Sequence, residues 1–110
     1  MEKSEQEANN QGLAYGNVYV MTHSFFSDVV KIGCTPLDPV EHAIALSAKT
    51  PGEYTLKFSL KCTNPCQVKK QISKALNAKA YVNEFYQVPI DVAENILKRE
   101  TLRIPILNAS

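Results

Sequence analysis

The sequence predicts an α+β domain: a small, mostly antiparallel three-stranded sheet plus a short extra strand, flanked by about three helices. Three observations carry this. The stretch "EYTLKFSLKC" at 53–62 alternates between apolar and polar residues, the period of a half-buried strand. "DPVE" at 38–41 and "NPCQ" at 64–67 share one helix-opening grammar: a capping Asp or Asn, then proline, then Glu or Gln at the capping-box position. Segments of the two periods follow one another as strand, strand, helix, strand, helix, short strand, helix.

Residues 1–13 are polar, with "NNQG" near their end, and read as a disordered leader. The folded domain is expected over 14–100. Its first strand starts at Tyr15 and places Val18, Val20 and Thr22 on one side, with Tyr19 and Met21 on the other. His23 to Asp28 read as a loop, and Val29 to Gly33 as the second strand. Asp38 and Pro39 open a helix whose apolar stripe is Val40, Ala43, Ile44 and Ser47, ended by "KTPGE". In the third strand Tyr54, Leu56, Phe58 and Leu60 point one way. Asn64, Pro65 and Gln67 open the next helix, with Val68, Ile72, Ala75 and Leu76 buried, running to about Ala78. "NEFYQVP" is extended, and "DVAE" opens a last helix packed through Val92, Ala93, Ile96 and Leu97. Residues 101–110 form a tail with Ile104, Ile106 and Leu107 around Pro105, suited to a sheet edge or to a protein partner.

At 110 residues and 45% apolar content, one domain with one core is expected, without a metal or disulfide staple. The net charge of +1 excludes a polyanion-binding surface over the whole chain. Nucleic-acid contact would need a local cluster among Lys57, Lys61, Lys69, Lys70 and Lys74, which composition alone reads as solvated faces. Cys34, Cys62 and Cys66 are odd in number and read as reduced thiols. Cys62 and Cys66 lack a second ligand pair at zinc spacing, so no metal site is expected. No apolar run reaches a membrane-spanning length, and the acidic N-terminus is no secretory signal, so the expected location is cytoplasmic.

Two motifs on the first two strands, Asn17-Val18-Tyr19 and Lys31-Ile32-Gly33, resemble those of the GIY-YIG nuclease superfamily. The likeness is to its phage-associated branch, in which the second motif reads K-I-G. "DPVEHAIALS" stands where that branch has D-P-x-x-R-x-x-x-L-S, and Glu84-Phe85-Tyr86 where it has E-F-F or E-W-F. The resemblance spans residues 15 to 98, and it implies a setting in phage or mobile elements. It further implies a hydrolytic site in which the tyrosine, or the group in the second motif, helps deprotonate water. An arginine steadies charge on the phosphate, and a helix glutamate holds a divalent metal.

Carried over residue by residue, the resemblance places Tyr19, Lys31, Gly33, His42, Lys69 and Ser73 in a relic site. His42 stands at the arginine, Lys69 at the glutamate and Ser73 at the histidine of E-x-x-x-H. An ammonium has three donors and no acceptor, so Lys69 replaces a metal ligand with a group that repels the ion. A neutral histidine lacks the guanidinium fork. Glu84 is the one substitute carboxylate. Read without the resemblance, Tyr19 is a sheet residue, His42 a half-buried structural histidine, and Lys69 and Ser73 lie on one helix face.

The expected function is a catalytically inactive GIY-YIG-like module. It would bind DNA or RNA through Lys31, Lys69 and Lys70, or a protein through the tail, with no membrane involved and no cofactor. The alternative is a divergent endonuclease that uses Mg²⁺ or Mn²⁺ with Tyr19, Lys31, His42 and Glu84.

Overall fold

Two hairpin strands, β1 (Tyr15–His23) and β2 (Phe26–Thr35), form the centre of a four-stranded antiparallel sheet of order β3-β1-β2-β4. The edges are β3 (Tyr54–Thr63) and the two-residue β4 (Phe85–Tyr86). Helices α1 (Pro39–Lys49), α2 (Pro65–Ala75) and α3 (Ile90–Ala109) cover this sheet, so the architecture is the expected α+β. The structure, a computed structural model, describes residues 15–82 and 84–109, with the side chains of residue 78 and residues 103–109 outside that description. The expected leader also lies outside the described residues.

Because side chains alternate along β1, the sheet has two differently covered faces. Val18 and Val20 point into the larger core with Val30, Ile32, Val68, Ile72, Leu76, Tyr86, Ala93 and Leu97, beneath α2 and α3. Tyr19 and Met21 point the other way, beneath α1, and pack with Ala43, Leu46, Tyr54 and Leu56.

Strand β3 serves both faces. Its pairing shifts between Val20↔Phe58 and Met21↔Leu56, leaving Lys57 as an extra residue. A bulge of this kind reverses which side chains face which side. Phe58 and Leu60 therefore join the larger core, whereas Tyr54 and Leu56 join the smaller one. The unbroken alternation in "YTLKFSL" hides that reversal.

The expected loop from His23 to Asp28 shrinks to a turn at Ser24 and Phe25, and Phe26 to Asp28 belong to β2. The His23 ring closes it. Nδ1 accepts the Phe25 amide at 3.1 Å, which leaves Nε2 to donate to the Pro51 carbonyl at 3.0 Å. Gly52 makes room, because its φ is +82° and an added Cβ would lie 2.5 Å from His23 Cε1.

Helix α1 is rotated from its expected stripe. Ala43 is buried and Leu46 and Ser47 are half-buried, but Val40 and Ile44 face solvent. Ser47 explains this: its hydroxyl donates to the Ala43 carbonyl at 2.8 Å and accepts the Tyr54 amide at 2.9 Å. Satisfying the first amide of β3 turns a polar residue inward.

Helix α2 buries Val68, Ile72 and Leu76 as expected, leaves Ala75 exposed, and gives way to a 3₁₀ turn at Asn77–Lys79. Asn64 precedes it with a φ of 50°, a left-handed conformation that Asn tolerates. In α3, Ala93 and Leu97 are buried and Ile96 is half-buried, whereas Val92 is largely exposed. The backbone of residues 101–109, expected as a tail, continues α3, and the side chains of Ile104 to Leu107 lie outside the described residues. Among the described residues, no helix is long and apolar enough to cross a membrane.

One expectation is overturned by the fold. Cys34 and Cys66 form a disulfide, so two of the three cysteines are not reduced thiols. Cys34 follows Gly33 on β2 and Cys66 lies in the first turn of α2, so the bond pins that turn to the sheet. Cys62 remains a half-buried thiol, its pKa raised by burial.

Candidate functional site

The site is assembled by the pairing of β1 with β2. Tyr19 pairs with Gly33 and Met21 with Lys31, so the side chains of Tyr19 and Lys31 share the sheet face that α1 covers. Ala43 anchors α1 on that face, and its neighbour His42 brings its ring over Tyr19 at a centroid separation of 5.4 Å. The Tyr19 hydroxyl and His42 Nε2 share a hydrogen bond of 3.2 Å.

Gly33 is required by this geometry. A Cβ there would lie 2.6 Å from Tyr19 Cζ and closer still to the hydroxyl. Tyr19 is buried and cannot swing aside. Gly33→Ala is therefore expected to destabilise the fold by roughly 1–2 kcal/mol through overpacking. It should also break the Tyr19–His42 bond. Urea unfolding reads the first effect, and loss of the NMR cross-peaks between the Tyr19 and His42 rings reads the second.

Strand β4 delivers Glu84. The Ile32 amide donates to the Glu84 carbonyl at 3.0 Å, and Lys31 pairs with Phe85 in the next rung. This sets the Glu84 carboxylate against the Lys31 ammonium, with Nζ to Oε1 at 2.6 Å. The second carboxylate oxygen accepts from Lys69, three residues beyond Cys66 on α2. The result is a clamp, Lys31–Glu84–Lys69, in which two ammoniums share one carboxylate.

The field of this clamp is felt by its neighbours. Burial pushes the Tyr19 phenol well above its usual pKa, with the charges of Glu84 and Tyr54 adding to the effect. Burial also lowers His42, and the Lys31 ammonium lowers it further against the opposing pull of Glu84. For Glu84 burial alone would raise the pKa. The hydrogen bonds and charges of Lys31 and Lys69 together outweigh it and hold the carboxyl below its ordinary range. Tyr19 and His42 are thus both neutral at pH 7, and the charge of the site resides on the clamp.

Of the remaining expected residues, Ser73 lies apart from Tyr19: its hydroxyl and that of Tyr86 share a hydrogen bond of 2.8 Å between α2 and β4. Lys70 is exposed on α2. Two rings, Tyr54 and Phe85, also border the site. Lys31 Nζ lies 5.6 Å from the Phe85 ring and 6.0 Å from the Tyr54 ring, within cation–π range. The signal for Tyr54 was its place at the head of an alternating strand, which does not distinguish a core ring from a site ring.

The divalent metal that the resemblance implies does not fit these residues. Lys69, which the resemblance sets at the ligand, offers only donors, and both oxygens of Glu84 are engaged by ammoniums. Among the described residues, no group of three or more His, Cys, Asp or Glu is arranged to hold a metal ion. Compared with protein-family models, curated proteins and solved structures, the chain matches none.

Proposed function

We propose that this chain is a GIY-YIG-like module that does not cut and holds nucleic acid by its phosphates. The observation that carries the reading is the Lys31–Glu84–Lys69 clamp, where hydrolysis would need a free carboxylate and a metal. Two half-buried ammoniums against one carboxylate leave a local excess of positive charge on a chain that is otherwise near neutral. Phosphate oxygens are the natural acceptors for such an excess. Lys70, exposed on α2, would serve as an outer contact. Neither Tyr19 nor Lys31 is suited to act as a base. The phenol is pushed further from deprotonation, and the Lys31 amine is occupied by the Glu84 carboxylate.

Incubation of the purified protein with supercoiled plasmid and Mg²⁺ or Mn²⁺, followed by gel electrophoresis, tests the reading. The expected result is no nicking, together with retardation that weakens steeply as salt rises. Nicking that disappears in Tyr19→Phe would establish the endonuclease alternative and overturn the non-cutting part. Absence of retardation with DNA and RNA alike would overturn the nucleic-acid part and leave a protein partner.

A further inference from the structure

We propose that the aromatic strip beside the clamp is a stacking platform for unpaired bases, so that the nucleic acid held here is single-stranded. This rests on the phosphate-binding reading above and goes beyond it by naming the strand type.

The strip starts at the tip of the β1–β2 hairpin, where Phe25 is 64% exposed and Phe26 43% exposed. Both rings lead inward. Phe25 meets the His23 ring at 5.3 Å, and His23 meets Tyr54 at 4.7 Å. Phe26 meets Phe85 at 6.0 Å. Tyr54 and Phe85 then lie nearly parallel, 28° apart, with the Lys31 ammonium within 6.0 Å of each centroid. The two exposed rings thus connect, Phe25 through the buried His23 ring and Phe26 directly, to the half-buried pair Tyr54 and Phe85 beside the cation of the clamp.

Chemical complementarity selects the occupant. A duplex offers phosphates but keeps the faces of its bases inside, so exposed phenyl rings gain little from it. A single strand offers both a charged backbone for Lys31 and Lys69 and open π-faces for Phe25 and Phe26. Proteins that hold single strands combine these two elements, and a stacked base contributes far more than an unstacked one. Phe25 also sits where the backbone is already held, because its amide donates to His23 Nδ1 and its side chain is left to solvent.

The chain contains no tryptophan, so Phe25→Trp creates a single fluorescent reporter at the outer end of the strip. The protein is titrated with oligothymidylate and, separately, with a duplex of equal length. Expected are quenching of the introduced indole by oligothymidylate and about tenfold tighter binding of the single strand than of the duplex. Phe25→Ala should weaken single-strand binding by about tenfold without changing the slope of log K against log salt, since the ring carries no charge. Lys69→Ala should instead flatten that slope by about 0.7.

Equal affinity for duplex and single strand, an unquenched indole, or no loss in Phe25→Ala would each overturn the platform. Salt-dependent binding that persists in those cases leaves the phosphate-binding reading standing. Loss of binding to both nucleic acids would overturn both. A hairpin tip that instead mediates self-association would show as Phe25→Ala changing the sedimentation coefficient with oligothymidylate affinity unaltered, and that too overturns the platform.

Discussion

Reduction of the Cys34–Cys66 disulfide is expected to lower the stability of this domain by about 3–4 kcal/mol. The sequence separation of 32 residues sets the size of the effect, because cross-linking a loop of that length removes about this much chain entropy from the unfolded state. Equilibrium unfolding in urea, with and without a phosphine reductant, reads it directly. Cys34→Ala combined with Cys66→Ala should match the reduced wild type. Equal midpoints for the oxidised and reduced protein would show that the two sulfurs are not joined in solution.

The consequence reaches the site. The bond holds the first turn of α2 on β2, and Lys69 lies one turn further along the same helix. Reduction should therefore loosen the Lys69 contact with Glu84 before it affects the Lys31 contact, which the β2–β4 pairing maintains. Cys66 is exposed, so small thiols can reach the bond.

Replacing the carboxylate of the clamp should move stability and binding in opposite directions. Glu84→Gln leaves the Lys31 and Lys69 ammoniums without their shared counter-charge, where their side chains are only 14% and 25% exposed. Hydrogen bonds to charged groups are the strong ones, and losing this pair should cost about 2 kcal/mol. The same change frees two cations for phosphate, so affinity for an oligonucleotide should rise by about fivefold, equivalent to ~1 kcal/mol between partly screened charges. Urea unfolding and fluorescence anisotropy check the two halves. A loss of binding in Glu84→Gln would mean that the carboxylate itself contacts the ligand, contrary to the phosphate-binding reading.

Acid should mimic that substitution. The folded pKa of Glu84 lies below its ordinary value of about 4.5, so its contribution is complete above that value and is lost as pH falls through the lowered one. His42 acts earlier. Its folded pKa lies below about 6.5, so the unfolded chain takes up the proton first and stability begins to fall as pH drops through that value. His42→Gln should remove the upper part of the decline and leave the lower part, as read from urea midpoints across the pH range.

Much of the architecture was legible before any coordinates because it depends on local period and local breakers. The alternation of β3, the Asp-Pro and Asn-Pro helix openings and the stripe Val68–Ile72–Leu76 all report on neighbours along the chain, and each marks its element correctly. The rotation of α1 was not legible. Ala43 with Ser47 and Val40 with Ile44 are both acceptable helical stripes, and the choice was made by the Tyr54 amide, a distant donor needing an acceptor. The bulge at Lys57 escaped for a similar reason: a reversal of faces leaves no trace in a regular alternation.

The site divides along the same line. The sequence by itself determined which chemical groups are available: a tyrosine and a lysine on consecutive strands, a glycine two residues after that lysine, and a second lysine, Lys69, on the helix that opens at "NPCQ". Only the tertiary structure decided who meets whom. Glu84 reaches Lys31 because β4 pairs with β2, Lys69 reaches the same carboxylate from a helix tied to that strand, and Gly33 is compelled by the Tyr19 ring across the ladder. Charge pairing across 53 residues, from Lys31 to Glu84, depends on strand register, and register is a property of the folded sheet rather than of any local stretch.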